Sequence, residues 1–110
     1  SAASDVYKRQ INNLINNAIQ ACEEVKQPQI RVKITTEKKG IVLAVEDNGK
    51  GIPKDLQDRI FEPTFTTKTS GMGLGLSMVK SIVETYDGTV VFDSTPDALT
   101  RFELRIPSVD

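Results

Sequence analysis

The sequence predicts an α/β fold, a two-layer sandwich with helices on one face of a mixed sheet. Two long segments carry apolar residues at helical spacing, and four short segments have the pattern of strands. The strands come in consecutive runs instead of alternating one by one with helices, which favours a layered sandwich over a doubly wound parallel sheet.

From Asp5 to Val25, the residues Ile11, Leu14, Ile15, Ala18, Ile19 and Cys22 recur at three- and four-residue steps, the period of a one-faced helix. Ser4 or Asp5 is placed to cap it, and Pro28 ends the segment. Ile30, Val32 and Ile34 then alternate with Arg31, Lys33 and Thr35, the pattern of a half-buried strand. After a turn at Lys38-Lys39-Gly40, the denser run Ile41 to Val45 reads as a more central strand paired with the first as a hairpin. Asn48, Gly49, Gly51 and Pro53 break regular structure, and a short helix over Lys54–Ile60 starts near Pro53. No period survives from Glu62 to Ser70, so a surface loop is expected there. Leu74, Leu76, Met78, Val79, Ile82 and Val83 give a second long helix to about Tyr86, ended by Asp87 and Gly88. Thr89–Asp93 and Arg101–Ile106 complete the sheet around a turn at Thr95-Pro96-Asp97, with Phe92, Phe102 and Leu104 directed to the core.

At 110 residues the chain suits one domain and one core. Its formal net charge of -1, with charged residues of both signs interspersed, provides no basic field for nucleic acid and no polybasic patch for a membrane. No apolar run approaches the roughly 20 residues of a membrane-spanning helix. Cys22 is the only cysteine, which excludes a disulfide framework and suits a buried thiol in a reducing, cytoplasmic setting. Histidine is absent altogether, so no imidazole triad, zinc site or acid–base step can be built from this chain alone.

Three segments are candidates for chemistry. Asn13 and Asn17 lie one turn apart on one helix face, flanked by the parallel pair Asn12 and Asn16. An amide oxygen suits Mg²⁺, but the same pattern reads equally as a solvated polar face. Glu46-Asp47-Asn48-Gly49-Lys50-Gly51-Ile52 follows the central strand, where a carboxylate beside glycines can accept a hydrogen bond from an exocyclic amine. Alone, it reads as an Asp-Asn-Gly turn. Gly71-Met72-Gly73-Leu74-Gly75 opens the second long helix, offering free backbone N–H groups and a helix amino end to a phosphate, with Lys68 just upstream. The alternative there is a glycine hinge. A Rossmann fingerprint fails because Leu76 stands where its third glycine belongs, and a Walker loop fails for want of Gly-Lys-Ser/Thr.

The order of these segments resembles the GHKL superfamily (Bergerat ATP-binding fold), and more narrowly the catalytic and ATP-binding domain of bacterial two-component sensor histidine kinases. The N box is similar to Asn13-Leu14-Ile15-Asn16-Asn17-Ala18 and the first glycine box to Asp47 through Pro53. The F box resembles Ile60 through Lys68, and the second glycine box Gly71 through Ser77. The short stretch between Phe65 and Gly71 resembles the abbreviated lid of nitrogen-regulation kinases. The resemblance implies ATP and Mg²⁺ as cofactors. It gives Asn17 as metal ligand, Asn13 as support for the phosphates, Asp47 as reader of the adenine amino group and Gly51 as room for the ring. Gly71, Gly73 and Gly75 would wrap the triphosphate, Lys68 would approach it, and Thr100 would assist Asp47 at the adenine. Gly49, Ile52, Phe61, Thr67, Met72, Leu74 and Leu76 complete the implied nucleotide contacts, with Asn13, Asn17 and Lys68 as the catalytic set. Leu99 stands where the family often has glycine, and Gln20 where many relatives have a basic residue.

In the gyrase, MutL and chaperone branches a glutamate on the N-box helix activates water, and the matching residue here is Asn13. An amide is no general base at neutral pH, so phosphoryl transfer to a partner is expected instead of hydrolysis. The implied partner is a dimerisation and histidine-phosphoacceptor domain of a parent kinase, with a response regulator downstream. Neither nucleic acid nor a membrane is expected to contact this domain, although the parent itself can be membrane-anchored. The alternatives are an anti-sigma-type protein-serine kinase and a nucleotide-gated binding module. Residues 1–4 read as a leader or cloning scar and 5–110 as the domain, with the family's amino-terminal edge strand missing.

Overall fold

The computed structural model describes residues 2–62, 72–95 and 99–107, with side chains over 5–62, 76–95 and 99–107. Helices α1 (Ala2–Ala21) and α2 (Met72–Thr85) pack on one face of a sheet formed by β1 (Ile30–Glu37), β2 (Gly40–Asp47), β3 (Thr89–Thr95) and β4 (Leu99–Pro107). The strand order is β1-β2-β4-β3, and a 3-10 helix (Lys54–Arg59) sits between β2 and α2 in sequence. All three ladders are antiparallel, which corrects the expected mixed sheet. β2 and β3 do run in the same direction across the crossover containing α2, but β4 inserts between them, so no parallel pair forms.

Strand alternation sets which side chains reach the helices. Leu43, Val45 and Asp47 of β2 point inward together with Thr100, Phe102, Leu104 and Ile106 of β4, and all are buried. They meet Ile11, Leu14 and Ala18 of α1 and Leu76, Val79 and Val83 of α2. Leu14, Leu43 and Leu104 lose essentially all contact with solvent, so truncating any of them to alanine costs about 2–5 kcal/mol. The opposite sheet face is polar. Arg101 donates to Glu46 and Glu103 at 2.8 Å each, and Arg105 donates to Glu103 at 3.1 Å, an ion-pair network across that face.

The first strand departs from its half-buried pattern. Every residue of β1 is exposed, including the inward-phased Ile30, Val32 and Ile34 at 36%, 41% and 57%. Alternation predicts the face a side chain takes but not what stands above it. β1 is the sheet edge and α1 lies mainly over β2; Ile19 of α1 is itself 52% exposed despite belonging to the apolar repeat.

Helix ends also differ from expectation. α1 begins at Ala2, so Ser4 and Asp5 lie within its first turn instead of capping it, and it ends at Ala21 in the turn of Cys22–Glu24. α2 starts at Met72, two residues early, and so takes in Gly73 and Gly75. Its far end closes as a Schellman motif: the Gly88 N–H donates to Val83 O at 2.9 Å and the Asp87 N–H to Glu84 O at 3.0 Å. Asp87, not Gly88, takes the left-handed conformation, at φ 62°. The expected helix over Lys54–Ile60 is a 3-10 helix ending at Arg59, with Ile60 buried beneath it.

Candidate nucleotide site

Three inward positions turn polar at one end of the sheet. Asp47 follows Leu43 and Val45 in phase on β2, Thr100 precedes Phe102 on β4, and Ser94 follows Val90 and Phe92 on β3. The ladder registers pair Asp47 with Thr100 and Thr100 with Ser94, so the three form a row across the sheet. All three are buried, a position polar side chains hold only when they have partners or a ligand.

The row borders a cavity of about 330 Å³, the lower end of the range for small-molecule pockets. Asp47, Thr100, Asn17, Gly51, Ile52 and Leu76 contribute to its lining, together with apolar groups such as Leu56, Ile60 and Phe102. The arrangement is a mostly apolar slot with a carboxylate and a hydroxyl side by side, suited to a flat heterocycle bearing an amine. Lys50 is the exposed cation among the described residues that line the cavity. Burial raises the Asp47 carboxyl above its ordinary value of 3.8, opposed by the Gly49 N–H that donates to Oδ1 at 2.9 Å.

The loop after β2 is held from both sides. Asn48 accepts from the Gln29 N–H at 2.7 Å and donates to Gln27 O at 3.0 Å, tying the loop to the segment before β1. The Cys22 thiol also donates to Asn48 Oδ1 at 3.7 Å, and burial pushes that thiol up, with Asp47's charge adding to the effect. Gly49 is required by close approach: a Cβ there would run into the Ala21 carbonyl, which also accepts from the Lys50 N–H at 3.1 Å. Gly51 is required by its backbone, at φ 75°. On the other side, the Ile52 N–H donates to Ser94 Oγ at 3.0 Å, and Gln57 Nε2 donates to Ile52 O and Ser94 O at 3.0 and 3.2 Å.

Asn13 is half-buried one turn before Asn17 and does not line the cavity. Gly49 faces a neighbouring hollow with Asn48 and Lys50. Phe61, expected at the nucleotide, packs edge-on against Phe92 and Phe102 at centroid separations of 5.9 and 6.5 Å. Its ring carries the Lys80 ammonium at 5.4 Å, and Phe102 is the aromatic that reaches the cavity. Thr67, Lys68 and Gly71 lie outside the described residues, and Met72, Gly73, Leu74 and Gly75 are described as helical backbone. Ser94 and Gln57 were missed by sequence reasoning. A polar residue in the inward phase of Val90 and Phe92 was the available signal for Ser94; Gln57 gave none.

Asn17 Nδ2 is buried and has no hydrogen-bond partner. A half-turn of the amide would present the oxygen in its place, so this residue fits a neutral oxygen ligand for a hard cation. Among the described residues no cluster of three His, Cys, Asp or Glu side chains could hold a metal unaided. No helix among them is long and apolar enough to cross a membrane.

Residues 3–110 match the family model described as histidine kinase-, DNA gyrase B-, and HSP90-like ATPase. The chain is 35% identical over 100 residues to the sensor protein TdiS of Thauera aromatica, covering 86% of this chain and 18% of that protein. It is 42% identical over 95 residues to the sensor histidine kinase ZraS of Escherichia coli, covering 86% of this chain and 20% of that one. It therefore spans about a fifth of the length of these relatives. The solved catalytic domain of the histidine kinase ThkA superposes with a TM-score of 0.78 at 33% identity, over 94% of this chain and 66% of that one. The cavity, the polar row and these matches agree: the chain belongs to the histidine kinase-, DNA gyrase B-, and HSP90-like ATPase family.

Proposed function

We propose that the chain binds ATP with Mg²⁺ in the cavity bordered by Asp47 and Thr100 and donates the γ-phosphoryl group to a histidine on a separate dimerisation domain of a sensor kinase. The observation that carries it is the pairing of a buried carboxylate with a buried hydroxyl at the end of an apolar slot. Asp47 accepts from the adenine amine, while Ile52, Leu56 and Phe102 surround the ring. The glycine segment through Gly71, Gly73 and Gly75, with Thr67 and Lys68 before it, holds the triphosphate.

Asn17 holds the metal through its amide oxygen. Mg²⁺ would neutralise charge on the phosphate oxygens. Asn13, one turn earlier, steadies the phosphates and supplies no base for water attack. Because the chain has no histidine, the acceptor imidazole must come from outside it. The amino-terminal residues 1–4 stand outside this chemistry, which belongs to 5–110.

The test is transfer in trans. Labelled ATP·Mg, this chain and a purified dimerisation domain of its parent kinase should give acid-labile, base-stable phosphohistidine on the dimerisation domain, with little free phosphate. Rapid phosphate release without labelled protein would show a hydrolase and overturn the proposal.

A further inference from the structure

Ser94 is not among the residues that line the cavity, yet its hydroxyl is bonded to one that is. Its Oγ accepts the Ile52 N–H at 3.0 Å and lies 2.9 Å from Thr100 Oγ1. A hydroxyl has one proton and two acceptor sites. If Thr100 donated to Ser94, the Ser94 proton would be left buried without an acceptor among the described residues, at a cost of about 1–3 kcal/mol. If Ser94 donates to Thr100, both of its bonds are satisfied, and the Thr100 proton is directed into the cavity beside Asp47.

We infer that Ser94 is a positioning residue that makes Thr100 a hydrogen-bond donor to the bound base, so that the cavity selects adenine by polarity as well as by shape. The inference rests on adenine binding at Asp47. Asp47 accepts and Thr100 donates, which complements an amine flanked by an unprotonated ring nitrogen. The 6-oxo and N1–H edge of guanine or hypoxanthine would place an acceptor against the carboxylate and a donor against the hydroxyl. The Ile52 N–H, held in place by Gln57 on the adjoining carbonyl, sets the direction of the whole chain from Ile52 to Ser94 to Thr100.

The experiment compares ATP with 1-deaza-ATP and 7-deaza-ATP, each lacking one of the ring nitrogens that flank the amine, by calorimetry on the wild-type chain and on Ser94→Ala and Ser94→Thr. Wild type should bind ATP roughly tenfold tighter than one of the two analogues, the scale of one hydrogen bond. Ser94→Ala should lose most of that ratio, and Ser94→Thr, which retains the hydroxyl, should keep it. A purely structural serine would weaken all three nucleotides alike, and an unchanged ratio in Ser94→Ala overturns the inference. So does a ratio lost equally in Ser94→Thr, or a wild type that treats the three nucleotides alike. If Ser94→Ala does not fold, Ser94→Cys, similar in size with only a weak S–H donor, is read in the same way. A wild type that binds none of the three would sink adenine recognition itself, an outcome distinct from binding without discrimination.

Discussion

Asp47 and Thr100 stand opposite one another across the β2–β4 ladder, each only 4% exposed, at the sheet end where the cavity opens. Their neighbours one step down the same faces, Val45 and Phe102, are apolar. The chain thus gives up two core positions to polarity, where a ligand can add to the partners that Gly49 and Ser94 supply.

Asp47→Asn should stabilise the ligand-free fold while weakening nucleotide binding. Burial raises the folded-state pKa of Asp47 above 3.8. Below that value the carboxyl is protonated in both folded and unfolded chains. As pH rises past it, the unfolded chain loses its proton first, so stability falls until the folded pKa is passed and then stays reduced. Denaturation midpoints should therefore show wild type losing ground to Asp47→Asn as pH rises above about 4. Equal pH profiles for the two proteins would contradict this assignment.

The Glu103 carboxyl should show the opposite sign. The hydrogen bond from Arg101 is the main cause holding it below its ordinary 4.5, so its contribution is present above 4.5 and lost as pH falls through the lowered value. With Arg101 about a third exposed, Arg101→Met should cost no more than about 1 kcal/mol, and less in high salt. Urea titrations at low and high ionic strength check both statements.

Gln10 is enclosed on α1, and its Oε1 has no hydrogen-bond partner. Gln10→Leu keeps much of the volume and removes the buried polar group, so it should stabilise the chain by about 1–2 kcal/mol. A destabilised variant in chemical denaturation would show that the amide does have a partner. The nucleotide affinity should not change, since Gln10 is absent from the cavity wall.

At the carboxyl end of α2, Asp87→Gly relieves a side chain in the left-handed region and should raise stability by about 0.5–1 kcal/mol. Gly49→Ala should do the reverse, by about 1–3 kcal/mol, because its Cβ meets the Ala21 backbone, and the displaced loop should lower nucleotide affinity too. Thermal melts of the two variants should shift in opposite directions.

Helical spacing marks both long helices because Ile11, Leu14, Ala18 and Cys22 of the first and Leu76, Val79 and Val83 of the second are buried as stripes. The same spacing includes Ile19, which is 52% exposed, and periodicity alone has no means of telling the two apart. The β1 edge differs for the same reason: Val32 and Ile34 have the correct phase, but α1 lies mainly over β2 and leaves them exposed. The site was legible where a residue type is unusual for its place, as with Asp47 at a strand end. It was not legible where function depends on register. Ser94 meets Thr100 through the register of the β3–β4 hairpin and Gln57 meets Ile52 through the fold of the loop after β2, and neither residue type announces such a contact.

Asn17→Ala should lower the Mg²⁺-dependent part of nucleotide affinity and leave the metal-free part largely intact, as the cation and not the base depends on the amide. Titrations with and without Mg²⁺ separate the two. An equal loss in both would remove Asn17 from the metal site.

The most direct test of nucleotide binding at the polar row is calorimetric titration of the chain with ATP and Mg²⁺, beside the same titration of Asp47→Asn. Saturable one-to-one binding that falls by roughly tenfold or more in the variant is the predicted result. A folded wild-type chain that shows no saturation at millimolar ATP, or an Asp47→Asn variant that binds as tightly, would contradict it.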